Sequence, residues 1–125
     1  TGLAIAAVTL FSFGTAHAEG DPEKGKRVFN KCKACHMVGD NAKKRVGPPL
    51  NNIIGAKAGA QEGYNYSKSI KTLGEEGLVW NDEKLSAYLE KPKDVVPKGK
   101  MAFPGLKKES DRADVIAYLK QFSKA

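Results

Sequence analysis

The chemistry of this 125-residue chain is concentrated in one pentapeptide, Cys32-Lys33-Ala34-Cys35-His36, which holds both cysteines and one of the two histidines. Two thiols three positions apart near a helix end can add to the two vinyl groups on one edge of a porphyrin. An imidazole directly after the second thiol then lies under the iron, and Cys-x-x-Cys-His is the attachment pattern of haem c. Three other readings compete. A thioredoxin-like redox pair belongs beside a βαβ pattern, which the chain lacks. A zinc site takes four ligands, and Cys32, Cys35 and His36 make three. A structural disulfide needs neither the histidine nor the two-residue spacing. The pentapeptide points to one covalent haem c per chain.

An iron bound by His36 needs a ligand on its other face. His17 lies in an N-terminal segment expected to be removed, so the candidates are Met37 and Met101. Met37 follows His36 directly and cannot reach around the porphyrin. Met101 sits in the Gly- and Pro-punctuated loop Lys98-Gly99-Lys100-Met101-Ala102-Phe103-Pro104-Gly105, outside any apolar helical stripe. A methionine in a small domain is usually a core filler, but here the chain already requires a ligand. His36 and Met101 therefore read as the axial pair. With both faces taken, neither oxygen nor a substrate can bind without displacing Met101, and His/Met ligation raises the reduction potential. No acid/base pair or activated nucleophile is visible, and Glu75-Glu76 and Asp82-Glu83 read as helix-end charges. A small haem peroxidase would need an open sixth position. The expected role is one-electron transfer, without turnover.

The elements that must hold these groups are short helices joined by long loops. Asp21 can cap a helix opening with Pro22 and running to about Lys33. Met37 to Gly63 reads as loop, with a turn of helix around Leu50 to Ile54. Ser67 can cap a helix ending near Gly74. Asn81 caps the next, with Trp80 and Leu85 as a hydrophobic staple and Pro92 as its stop. Lys93 to Lys108 reads as loop. Ser110 or Asp111 starts a last helix whose Val115, Ile116, Leu119 and Phe122 face inward. Leu78-Val79-Trp80 and Val95-Val96 are too short to build a sheet, so the fold class is all-α in a single small domain.

Thr1 to Ala18 carries no charged side chain and leads into Ala16-His17-Ala18, the small-residue pattern of a signal-peptidase site. Residues 1–18 thus read as a signal peptide lacking its charged start, and 19–125 as the mature domain in the periplasm. The apolar run is short for a membrane span; an anchored electron-relay module is the alternative.

The chain resembles class I cytochromes c, the mitochondrial protein and its short bacterial periplasmic relatives, over essentially all of residues 19–125. The residues that carry the likeness are Gly25 and Phe29, Cys32 to His36, Gly47-Pro48-Pro49-Leu50, Tyr64-x-Tyr66-Ser67, Trp80, Tyr88-Leu89 with Pro92, Lys100-Met101-x-Phe103-x-Gly105, and Tyr118-Leu119. The resemblance implies that the first and last helices cross at Gly25 and near Tyr118. It implies that the Pro48 carbonyl accepts the free ring N–H of His36, that Tyr66 and Trp80 hydrogen-bond a haem propionate, and that Tyr88 hydrogen-bonds the Met101 sulfur. Three positions depart from the family pattern: Ala56 stands where an arginine is usual, Gly99 for a threonine, and Ile70 for an asparagine.

The formal charge is +7. Lys31, Lys33, Arg45, Lys93, Lys98, Lys100, Lys107 and Lys108 flank the attachment motif and the axial loop, both of which border the haem edge. For each lysine alone a solvated surface is the plain reading; as a cluster they suit the acidic faces of redox proteins. A quinol–cytochrome c oxidoreductase, a terminal oxidase or a photosynthetic reaction centre would have that character. Nucleic acid is excluded as a target by export and the lack of interleaved aromatic residues, and a monomer is expected.

Overall fold

The computed structural model describes residues 2, 4 and 19–124. The expected signal peptide, His17 included, lies outside the described residues apart from Gly2 and Ala4.

Among the described residues five α-helices follow in order: α1 Pro22–Val28, α2 Lys68–Glu75, α3 Asp82–Glu90, α4 Pro92–Val95 and α5 Glu109–Lys120. Among the described residues there is no strand, and a single bridge pairs Lys57 with Val79. The caps explain most boundaries. Asp21 accepts from the backbone N–H of Glu23 and Lys24, Ser67 from Ile70, and Asn81 from Lys84, each satisfying donors that a helix start leaves free.

Four boundaries differ from the sequence expectation, each for a local reason. Instead of running to Lys33, α1 stops at Val28 and tightens into a 3-10 turn, Phe29–Lys31, closed by Cys32 N–H on the Phe29 carbonyl at 2.8 Å. Leu50 to Ile54 makes turns but no helix, because Asn52 has a left-handed backbone (φ 61°). Pro92 ends α3 as expected and also starts α4, since a first helical position needs no N–H. Finally, α5 begins at Glu109 with no side-chain cap from Lys108; Glu109 and Asp111 in the first turn offset the exposed N–H groups electrostatically.

The core sits where α1 crosses α5. A side chain at Gly25 would overlap the Asp114 carbonyl and meet Tyr118 Cβ at 2.8 Å, so the two backbones approach as only glycine allows. Phe29 packs on Tyr118 with ring centroids 5.4 Å apart. Val115, Ile116 and Leu119 are buried as expected; Tyr118 is buried with them, and Phe122 only in part. Trp80, Leu85, Val96 and Leu106 extend this core towards α3 and the loop after α4.

Candidate functional site

The Cys32–His36 segment is one tight turn. The N–H of Cys35 and of His36 both reach the Cys32 carbonyl, at 3.1 and 2.9 Å. Both thiols are free and partly buried. Burial raises the Cys32 pKa, the neighbouring Cys35 adds to the rise, and Lys31 offsets it in part. Cys32 is accordingly held as a protonated thiol at neutral pH.

The loop that follows folds back to fix the imidazole. Pro48 O lies 2.7 Å from His36 Nδ1; a carbonyl only accepts, so Nδ1 carries the proton and the Nε2 lone pair is free. Burial lowers the His36 pKa, partly offset by the Pro48 hydrogen bond, which favours the neutral form that binds metals. Gly47 lies directly against the ring, and a Cβ there would overlap it. The Gly47 N–H donates to the Cys35 carbonyl at 2.9 Å, and the Asn51 amide pairs with both backbone groups of Gly39 at 2.9 and 2.8 Å.

The helix α3 supplies Tyr88, whose hydroxyl donates to Met101 Sδ at 3.7 Å. The Trp80 ring lies over Tyr88 at 4.7 Å. Burial, with a smaller contribution from Tyr64, pushes the Tyr88 hydroxyl up to about 12, so it stays a donor throughout the neutral range. Lys100, next to Met101, donates to the Asn65 carbonyl at 2.7 Å. Tyr64 donates to the Val46 carbonyl at 2.7 Å and packs edge-on against Tyr66 at 4.8 Å. Segment 64–66 therefore touches both the loop that holds His36 and the loop that carries Met101. Burial raises the Tyr66 hydroxyl pKa, against a hydrogen bond to the Gln61 backbone.

The positions that depart from the family pattern have local explanations in part. A Cβ at Gly99 would meet the Val96 side chain at 3.1 Å, so a branched residue would crowd a fully buried valine. Ala56 is joined to Trp80 through its carbonyl at 2.9 Å. Ile70 is half-buried on α2, and nothing in the structure explains why an isoleucine stands there.

All seven candidate docking lysines are exposed, as is Arg45. Lys31 and Lys33 flank the first thiol, Lys93 is on α4, Lys98 and Lys100 are in the Met101 loop, and Lys107 and Lys108 precede α5. Lys100 is tied to Asn65, and Lys98 has a left-handed backbone (φ 61°). Sequence reasoning missed Arg112, a buried cation that holds the end of the Met101 loop through the Leu106 and Lys107 carbonyls. Its signal was present: Arg112 falls in the helical register of Val115, Ile116 and Leu119, where a charge must be partnered.

The donor set fits a covalent haem: two thiols on one turn, an imidazole with a free Nε2 cradled by a glycine, and a hydrogen-bonded thioether. Among the described residues no helix is long and apolar enough to cross a membrane.

The family model described as Cytochrome c matches residues 22–123. The chain is 50% identical over 117 residues to a cytochrome c2 of Rhodomicrobium vannielii, covering 94% of this chain and 91% of that protein. It is 49% identical to a cytochrome c-554 of Methylosinus trichosporium, covering 96% and 90%. Among solved structures it is similar to cytochrome c2 from Rhodospirillum centenum, with TM-score 0.80 and 44% identity over 84% of this chain and all of that one.

Proposed function

Since the chain belongs to the cytochrome c family, whose members carry covalent haem c and transfer electrons rather than turn over substrates, we propose how this particular chain does so. Cys32 and Cys35 would hold the haem through thioethers, and His36 and Met101 would be the residues that bind its iron. When bound, the haem supplies an iron that takes up and releases one electron. The chain's own residues prepare the two faces. Pro48 fixes the tautomer of His36 and, with Gly47, its orientation, as ligand supports do in metal sites generally. Tyr88 directs its hydroxyl at the Met101 sulfur, withdrawing electron density. Trp80 and Tyr66 are the donors for a propionate.

Residues 1–18 direct export and are cleaved after Ala18, leaving a monomeric carrier in the periplasm. Its partners are acidic faces of redox proteins such as a quinol–cytochrome c oxidoreductase, a terminal oxidase or a photosynthetic reaction centre, met through Lys31, Lys33, Lys93, Lys98, Lys100, Lys107 and Lys108.

The observation that carries this reading is the matched pair of contacts, Pro48 on His36 and Tyr88 on Met101. Sulfur ligation to ferric low-spin iron gives a weak absorption band near the red edge of the visible. Met101→Ala is expected to remove it and lower the potential, with Met37→Ala leaving both intact; the reverse result would exclude Met101. Acidic acetone should fail to extract the haem, and the intact mass should equal residues 19–125 plus one haem. A mass that retains residues 1–18 would exclude cleavage.

A further inference from the structure

We infer that Arg112 is a positioning residue for Met101, a role that rests on Met101 being the axial ligand. Arg112 stands in the first turns of α5 and is 8% exposed. A guanidinium is tolerated at that depth only when its donors are used. Its Nη1 donates to the carbonyls of Leu106 at 2.8 Å and Lys107 at 2.9 Å. Its Nε donates to Ser86 Oγ at 3.1 Å, and its Nη2 pairs with Glu90 at 3.9 Å.

These partners belong to two pieces of the site. Ser86 and Glu90 lie on α3 on either side of Tyr88, which donates to the sulfur. Leu106 and Lys107 are the residues through which the chain leaves the Met101 loop. One side chain thus joins the helix bearing the donor to the segment bearing the sulfur. The loop itself has no helix or strand between α4 and α5. It is fixed at its start by buried Val96 and at its end by the Leu106 N–H on the Leu89 carbonyl at 2.7 Å. Gly105, at φ 111°, passes so close to the Glu90 carbonyl that a Cβ would overlap it. Arg112 holds the two carbonyls just beyond that crossing. A thioether is a neutral, weakly basic donor, so its hold on iron depends on the loop presenting it in place. Arg112 therefore sets how readily the sulfur leaves.

The test uses ferric holoprotein, with free imidazole as the competing ligand, followed through the red-edge band, and thermal unfolding measured beside it. Arg112→Ala should raise imidazole affinity by roughly tenfold to a hundredfold, about what one charge-assisted hydrogen bond contributes. Arg112→Lys should recover part of the difference, because an ammonium can still reach a carbonyl but lacks the fork. Val115→Ala, a core truncation on the same helix, should lower the melting temperature and leave imidazole affinity unchanged. If Arg112→Ala and Val115→Ala behave alike in both measurements, the clamp is only structural and the inference is overturned. If Arg112→Ala does not accumulate, Arg112→Lys decides, and parental imidazole affinity in that variant overturns the inference. Parental affinity in Met101→Ala would overturn the axial assignment as well, so the two failures are distinguishable.

Discussion

At the scale of single residues, the site works by arranging neutral groups around two donors. The Tyr88 hydroxyl is held protonated by burial and aimed at the Met101 sulfur 3.7 Å away. With Met101 as the proposed iron ligand, a donor on its sulfur withdraws electron density and favours the reduced iron, so Tyr88→Phe should lower the potential. One hydrogen bond contributes about 1 kcal/mol, which in a one-electron couple is on the order of tens of millivolts. Redox titration of the variant with its red-edge band intact measures this; an unchanged potential would mean the contact does not tune the iron. Gly47 makes the matching argument at His36. A methyl group there overlaps the His36 ring, so Gly47→Ala should turn the imidazole or displace Pro48. The expected outcome is a lower ratio of covalent haem to polypeptide on expression, read by intact mass, and a low-spin spectrum identical in yield and position to the parent would refute it.

At the scale of elements, α5 starts without a side-chain cap, as the short α4 does, and its body is the most buried. Lys108 occupies its cap position with no side-chain bond, while Asp21, Ser67 and Asn81 cap α1, α2 and α3. Lys108→Asp should supply the missing acceptor and favour the helix dipole, adding about 1 kcal/mol of stability. The same change removes a candidate docking lysine. Thermal melting should therefore improve while association with an acidic redox partner slows. A melt that does not rise would show that Glu109 and Asp111 already satisfy the helix start.

At the scale of the molecule, the charge of +7 and the exposure of every candidate docking lysine make encounter the electrostatic step. Exposed charges are screened over about 8–10 Å at ordinary salt, so second-order rates with an acidic partner should fall as salt rises. Lys33→Glu is the cleaner probe, since Lys100 also ties its loop to Asn65. It should slow association with spectrum and potential nearly unchanged, and Lys124→Glu, at the end of the chain, should matter much less. Stopped-flow rates that are flat across a salt series would reduce the lysines to a solvated surface.

Motif and cap chemistry were legible in the linear chain because they depend on spacing. Cys32 to His36, the caps Asp21, Ser67 and Asn81, and the all-α class all follow from residues a few positions apart, and the proposal of Met101 over Met37 rests on elimination between two candidates. The crossing at Gly25 and the contacts of Pro48 and Tyr88 were reached only through family likeness, because each joins residues distant in sequence. Only the tertiary structure disclosed that Pro92 opens a helix as well as ending one, that Tyr64 to Tyr66 touches both loops, and that Arg112 is buried across the end of the Met101 loop. Those features depend on which backbone carbonyls packing leaves within reach of a donor, and that is decided when α1, α3 and α5 close on one another.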